Sequence, residues 1–193
     1  QRLANISQWC GTEYCKYNNY RIVYSRLDHS LWVATIIWNF TKDKKQTLAG
    51  LFHDISHTVF SHAWDFLLWD AINQESSEQH TTKLLQEDAV IMKELNKLWI
   101  KLDEVDDYSL YTIAENKSPQ LSADRLEYTI ANIYSIWHED LDLVKNIYND
   151  IIVLNNEKWE LELWFQVLDK AKIFWDYSIK NCEWCYSSYE SVS

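Results

Sequence analysis

Residues 48–65, LAGLFHDISHTVFSHAWD, carry most of the information about fold and chemistry in this chain. Within this apolar stretch His53 and Asp54 are adjacent, and His57 follows His53 by one helical turn. Five of the six histidines in the chain fall between positions 29 and 80. A lone histidine on an apolar helix is most often a core residue with one hydrogen bond. However, burying an aspartate beside several histidines without a cation or partner is costly, so we interpret the cluster as a metal site.

The residue types in this cluster restrict the metal that it could hold. Imidazole nitrogen beside carboxylate oxygen is a borderline-to-hard ligand set. Such a set suits a divalent transition metal, namely Mn, Fe, Co, Ni or Zn, or Mg where carboxylates and water dominate.

The composition favours an all-α fold in a single domain. Two glycines and one proline in 193 residues leave few turn formers, whereas 47% hydrophobic residues are sufficient for one core. We predict one helical bundle over 1–193, with its core at 22–153 and a C-terminal extension at 154–193. Alternating polar and apolar residues also predict one short strand or hairpin arm near 159–166.

Apolar residues that recur at three- and four-residue intervals predict the helices of this bundle. The predicted helices cover 30–40, 47–56, 61–72, 76–99, 121–136, 141–153 and 168–179.

The charge of the chain limits its partners. A formal net charge of -11 repels polyanions, so binding to polymeric nucleic acid is not expected. A small phosphorylated substrate remains compatible if a bound cation reverses the local sign. No apolar run approaches the roughly 20 residues that span a bilayer, and the first residues lack a signal-peptide pattern. We therefore expect a soluble, cytoplasmic protein with no membrane partner.

Three blocks of the sequence together resemble the HD superfamily of metal-dependent phosphohydrolases. They read YSRLDHSLWVA (24–34), LAGLFHDISHTVFSHAWDFL (48–67) and SADRLEYT (122–129). They are most similar to the deoxynucleoside triphosphate triphosphohydrolase branch, whose blocks read approximately R-F-x-H-S-L-G-V, H-D-x-G-H-x-x-F-S-H and D-x-D-R-x-x-Y. The resemblance implies an HD-domain helical bundle in which a metal-activated water attacks phosphorus. The implied substrate is a nucleotide or a related small phosphorylated metabolite.

The resemblance also implies a role for individual residues. Carried over by position, the four metal ligands are His29, His53, Asp54 and Asp124. Two imidazoles and two carboxylates would leave coordination positions open for water and a phosphate oxygen.

Six further residues match polar positions of the same blocks. The resemblance implies acid, base or nucleophile roles for His57, His62 and Asp65, with the carboxylate of Asp65 orienting the ring of His62. It implies substrate contacts for Arg26, Arg125 and Tyr128, the arginines supplying positive charge to phosphate oxygens.

One alternative is a catalytically silent HD-fold protein that serves as a ligand-binding or scaffold protein. The resembling family has glycine where this chain has Trp32, and an indole there should crowd the metal-binding helix or force it outward. The presence of the full ligand set argues for the enzyme instead. Pairing of the domain into a homo-oligomer stays open.

The chain contains 11 tryptophans and two glycines, the reverse of ordinary usage. One hypothesis is that some tryptophans are read from a codon at which the source organism inserts glycine. The candidates are Trp9, Trp32, Trp69, Trp159 and Trp164. The alternative is an unusually aromatic natural core.

Overall fold

The computed structural model describes residues 2–9, 19–57 and 80–190, with side chains as far as Glu183. The described chain is mostly helical and contains one two-stranded antiparallel sheet, so the all-α prediction with a small hairpin is confirmed. The elements, in chain order, are α1 (Arg26–Thr41), α2 (Lys44–Phe52), α3 (Thr81–Glu87), α4 (Ala89–Lys97), α5 (Ala123–Ser135), α6 (Leu141–Tyr148), β1 (Ile151–Asn155), β2 (Leu161–Phe165) and α7 (Leu168–Glu190). Short 3-10 turns cover Leu3–Asn5, Leu102–Glu104 and Tyr108–Leu110.

The start of α1 is fixed by a capping box. The Ser25 hydroxyl accepts a hydrogen bond from the backbone N–H of Asp28 at 3.2 Å. In return, the Asp28 carboxylate accepts one from the Ser25 N–H at 2.9 Å. These bonds satisfy backbone donors that have no partner within the helix. They set the first turn, and with it the position of His29.

Helices α1 and α2 pack closely because a glycine lies at their contact. A β-carbon on Gly50 would lie 2.2 Å from Cδ1 of Ile37 and 3.4 Å from Cγ1 of Val33. Both of those side chains are fully buried. The missing side chain therefore lets the end of α2 approach α1, which brings His53 near His29.

The main hydrophobic core joins α1 and α5 to the hairpin and the last helix. Its buried residues include Val33, Ile37, Ile113, Leu126, Ile133, Ile147, Leu163 and Phe174. In the hairpin, Ile151 pairs with Phe165 and Asn155 pairs with Leu161. The sequence blocks 24–34 and 122–129, which overlap α1 and α5, therefore pack against the same core.

Several predicted helices were wrong at their boundaries. The helix predicted at 141–153 ends at Tyr148, and the contiguous apolar run that follows forms β1. The helix predicted at 76–99 is broken at Asp88, whose carboxylate accepts from the Val90 and Ile91 N–H groups and so starts a new helix. The helix predicted at 47–56 ends at Phe52, and its last residues form turns. The helix predicted at 61–72 lies outside the described residues.

Two tryptophans adopt left-handed backbone conformations. Trp99 has φ 58° and Trp159 has φ 64°, and their side chains are 91% and 84% exposed. Trp32, by contrast, is helical and 59% exposed. The crowding by Trp32 that the sequence predicts does not occur in α1, because its indole is exposed to solvent.

Across the described ranges, no helix combines the length and the apolar character needed to cross a membrane.

Candidate metal centre

Three of the four predicted metal ligands present their donor atoms to one another. His29 and His53 are buried, and Asp124 is partly exposed. His29 Nε2 lies 3.3 Å from His53 Nε2 and 3.0 Å from Asp124 Oδ1. The remaining separation, between His53 Nε2 and Asp124 Oδ1, is 3.9 Å. The three side chains come from α1, the end of α2 and the first turn of α5.

These separations fit a single divalent ion. Two ligand atoms that each lie about 2.1 Å from an ion are separated by about 3.0 Å at a right angle and by about 3.4 Å at a tetrahedral angle. Two of the three measured separations fall in that range, and the third corresponds to a wider angle. Two imidazole nitrogens facing each other at this distance are also better accommodated by a cation than by two lone pairs. His29, His53 and Asp124 could therefore hold a divalent metal.

The orientation of His53 suits a metal ligand. Its Nδ1 lies 2.7 Å from the carbonyl oxygen of Gly50, and because a carbonyl only accepts, Nδ1 carries the proton. The lone pair therefore lies on Nε2, the atom that faces His29. Metal-binding histidines in proteins are commonly held in this way.

His29 is held by a carboxylate on its other side. Its Nδ1 donates to Glu127 on α5, and both side chains are buried. Burial would lower the pKa of His29, but the carboxylates of Glu127 and Asp124 outweigh burial and raise that pKa to about 10. Burial would raise the pKa of Asp124, yet the hydrogen bond from His29 keeps it below the usual value. The pocket thus strongly favours positive charge at its centre.

Asp54, the fourth predicted ligand, lies beside this group and is ion-paired. Its Oδ1 is 3.6 Å from His53 Nε2, and its Oδ2 accepts from Arg26 Nη1 at 3.0 Å. Both partners of the pair are buried. Burial would raise the pKa of Asp54, but the electrostatic influence of the neighbouring His53 ring and of the Arg26 guanidinium holds that pKa well below the usual range. One oxygen of Asp54 is therefore directed to the metal-binding group and the other to Arg26.

The remaining predicted substrate residues lie on α5. Arg125 donates to the carboxylate of Glu115 and to the carbonyls of Asn116 and Gln120, so in this structure it secures the preceding loop. Tyr128 lies near Asp124, and burial together with that carboxylate raises the pKa of its hydroxyl well above the usual value. Tyr128 therefore stays a hydrogen-bond donor at neutral pH.

The predicted acid-base group is only partly described. His57 is buried, and its backbone N–H donates to the carbonyl of Asp54 at 2.9 Å. Its own carbonyl accepts from the guanidinium of Arg2. His62 and Asp65 lie outside the described residues.

The sequence reasoning missed two residues near the centre. Glu127 contacts His29, and Tyr24 is a buried tyrosine whose pKa is raised by burial and by the nearby Glu127 carboxylate. A signal for Glu127 was present, because it falls in the apolar stripe of α5 together with Ala123, Leu126 and Ile133. A charged residue in a buried stripe needs a partner. Tyr24 is an ordinary core aromatic by its sequence, and nothing in the pattern distinguishes it.

The chain is similar in sequence to proteins from Bacillus subtilis and Cordyceps militaris. It is 29% identical over 173 residues to the uncharacterized protein YdhJ of Bacillus subtilis, a match that covers 86% of this chain and 51% of YdhJ. It is 30% identical over 115 residues to the metal-dependent phosphohydrolase cns2 of Cordyceps militaris, which covers 58% of this chain and 32% of cns2. The chain thus spans about half the length of the first relative and about a third of the second. No protein-family model matches the chain.

Proposed function

We propose that this chain is an HD-type, metal-dependent phosphohydrolase that acts on a nucleotide or a related small phosphorylated metabolite. The observation that carries the proposal is the convergence of His29 Nε2, His53 Nε2 and Asp124 Oδ1 within 4.8 Å of one another. The similarity to a relative named metal-dependent phosphohydrolase supports the same class.

The charge of the molecule makes the metal necessary for this activity. A chain with a net charge of -11 repels a phosphorylated substrate, and Asp54 and Asp124 add negative charge at the site itself. A divalent ion held there would attract the phosphoryl group, polarise it and lower the pKa of a bound water. Without that ion, the carboxylates of the site would oppose substrate binding.

The other groups of the site would orient the ligands, supply positive charge and transfer protons. Gly50 and Glu127 hold the two imidazoles in a fixed orientation, so little reorganisation accompanies the reaction. Arg26 pairs with one oxygen of Asp54 and places a buried positive charge beside the metal-binding group. Tyr128, which keeps its proton, can donate to a substrate oxygen on the α5 side. His57, His62 and Asp65 stay the proposed acid-base residues.

A metal and substrate screen tests the proposal. The purified protein is treated with chelator and then supplied with Mn, Mg, Co, Ni or Zn, each against nucleoside mono- and triphosphates, a cyclic dinucleotide and a general phosphoester. We expect metal-dependent hydrolysis of at least one nucleotide. The products would distinguish release of triphosphate from release of one phosphate and from cleavage of a phosphodiester.

Variants connect that activity to the site. Asp124→Ala and Asp54→Ala should each lower kcat by at least about 100-fold, because each removes a group that holds or surrounds the metal. Asp176→Ala is the matched control, since this aspartate is exposed on α7. The absence of metal-dependent turnover with every substrate would contradict the proposed class. Full activity in the Asp124→Ala protein would contradict the proposed site.

A further inference from the structure

Glu127 is a buried carboxylate to which neither the sequence blocks nor the comparisons assign a role. Its side chain is 7% exposed, and a carboxylate that is out of water needs a strong partner. That partner is Nδ1 of His29, the nitrogen that points away from the other candidate ligands. The pairing is buried on both sides, because the His29 side chain is only 2% exposed.

The position of Glu127 on α5 ties it to Asp124. The two residues are three positions apart, so they lie on the same face of the helix. Asp124 Oδ1 lies 3.0 Å from Nε2 of His29, while the Glu127 carboxylate contacts Nδ1 of the same ring. Two carboxylates on one face of α5 therefore contact both nitrogens of the His29 ring, which belongs to α1.

We propose that Glu127 is a positioning residue for the metal centre: it fixes the ring of His29 and keeps the proton on Nδ1, so that Nε2 is available to a divalent ion. This inference rests on the proposed metal site and extends it. Gly50 performs the corresponding task for His53 through its carbonyl oxygen. The difference is that Glu127 contributes a negative charge, which increases the basicity of the ligand it holds.

Metal affinity is the measurement that isolates this role from catalysis. Wild-type protein, Glu127→Ala and Glu127→Gln are titrated with Co or Zn against a chelator of known affinity. We expect Glu127→Ala to weaken binding by roughly 10- to 100-fold. Glu127→Gln should recover most of that loss, because its amide oxygen can still accept the proton of Nδ1. The visible spectrum of the Co-loaded proteins should change in the alanine variant and be largely restored in the glutamine variant.

A second buried glutamate serves as the matched control. Glu162 is 6% exposed on β2 and contacts Asn156 rather than the candidate ligands. Glu162→Ala should leave metal affinity unchanged even if it lowers stability. If Glu127→Ala binds metal as tightly as Glu162→Ala does, or if Glu127→Gln is as impaired as the alanine variant, the positioning role is overturned.

Nuclear magnetic resonance tests the same point without a variant. In the Zn-loaded wild-type protein, we expect the His29 ring to show a proton on Nδ1 that exchanges slowly with water. A proton on Nε2 instead would overturn the inference. A wild-type protein that binds no metal would contradict the proposed function itself, whereas normal binding that does not depend on Glu127 would contradict only the role of Glu127.

A separate observation concerns Trp99 and its place after α4. The backbone N–H of Ile100 donates to the carbonyl of Leu95 at 3.1 Å, and that of Trp99 donates to Asn96 at 3.2 Å. This pair of bonds is the Schellman ending of a helix, in which the left-handed residue is usually glycine. Leu95 and Ile100 are buried in one hydrophobic cluster, as is common for this motif.

Trp159 is the left-handed residue in the loop that joins β1 to β2. The N–H of Asn156 donates to Glu160 at 2.8 Å, and the N–H of Trp159 donates to Asn156 at 3.0 Å. A loop of this form is a turn followed by one left-handed residue, again a glycine position. Both tryptophans are almost fully exposed, whereas Trp9 and Trp137 use their indole N–H groups in hydrogen bonds to Asn132 and Asn181.

We infer that the native protein carries glycine at positions 99 and 159. We also infer genuine tryptophan at position 137 and at position 9, so Trp9 was wrong as a glycine candidate. Two kinds of codon, both read as tryptophan in this sequence, would account for the mixture. Tandem mass spectrometry of tryptic peptides from the native source should find glycine at the second residue of the peptide that starts at Leu98. It should also find glycine at the first residue of the peptide that follows Lys158.

The coding sequence provides an independent measurement. Positions 99 and 159 should share one codon, and positions 9 and 137 should share a different one. Tryptophan in the native peptides, or a single codon at all four positions, would overturn the inference.

Discussion

At the scale of single residues, His29 is the residue on which the site depends most. It contacts two carboxylates and faces the second imidazole, and its pKa is raised from 6.5 to about 10. In the metal-free protein the ring therefore holds a proton that a metal ion must displace. Proton and metal compete for the same nitrogen.

This competition makes the stability of the metal-free protein depend on pH. A group whose pKa is higher in the folded state contributes stability that is complete below its unfolded pKa and is lost as pH rises toward the folded value. We expect the free energy of unfolding to fall between pH 6.5 and about 10 because of His29. Urea unfolding at a series of pH values, with chelator present, measures this change. The change should be much smaller in His29→Gln, and a wild-type stability that is flat over this interval would contradict it.

Gly50 is the second residue with a large local effect. Replacing it by alanine places a β-carbon 2.2 Å from Cδ1 of Ile37 in a fully buried region. We expect Gly50→Ala to destabilise the protein by about 1–3 kcal/mol, although alanine is the better helix former. The double variant Gly50→Ala/Ile37→Val should lose less than the sum of the two single changes, because the shorter side chain removes the clash. Strictly additive losses would show that the two positions do not interact.

At the scale of secondary structure elements, the left-handed tryptophans store strain. A residue with a β-carbon costs roughly 1–2 kcal/mol in this conformation, whereas glycine adopts it readily. We expect Trp99→Gly and Trp159→Gly each to stabilise the protein by about 1 kcal/mol in urea unfolding. Trp38→Gly is the control inside a helix, since Trp38 is 42% exposed and lies within α1, where glycine should destabilise the protein by about 1 kcal/mol or more. Stabilisation by all three changes would point to a general benefit of removing indoles from the surface.

The sequence predicts elements well where one periodicity dominates, as in α1 and α5. It fails where a local side chain starts a new helix within one periodic stretch, as Asp88 does. It also fails where an apolar run such as Ile151–Asn155 suits both helix and strand. The candidate site likewise contains residues that the sequence predicts and a contact that it does not. The spaced blocks identify His29, His53 and Asp124, whereas the contact of Glu127 with His29 depends on how two helices are rotated about their axes.

At the scale of the whole molecule, the candidate ligands link parts of the chain that are far apart in sequence. Positions 29, 53 and 124 meet only in the folded state, so metal should bind the folded chain far better than the unfolded one. At a free metal concentration about 100 times Kd, linkage adds about 2.7 kcal/mol to the free energy of unfolding. That increment corresponds to a rise in Tm of roughly 5–10 °C for a domain of this size.

Thermal unfolding with and without chelator tests this linkage. Wild-type protein should lose the additional stability when the metal is removed and regain it when the metal is restored. Asp124→Ala should show little shift under either condition. A shift of equal size in Asp124→Ala would place the stabilising metal elsewhere.

The ends of α1, α2 and α5 meet at the candidate metal centre, and their peptide dipoles give that centre an electrostatic polarity. His29 and Asp124 belong to the first turns of α1 and α5, whereas His53 is the capping residue at the carboxyl end of α2. Aligned peptide dipoles place about half a positive charge at an amino end and about half a negative charge at a carboxyl end. The carboxyl end of α2 therefore favours a cation, and the amino ends of α1 and α5 favour an anion. The backbone alone thus separates a cation-favouring side from an anion-favouring side across a few ångströms.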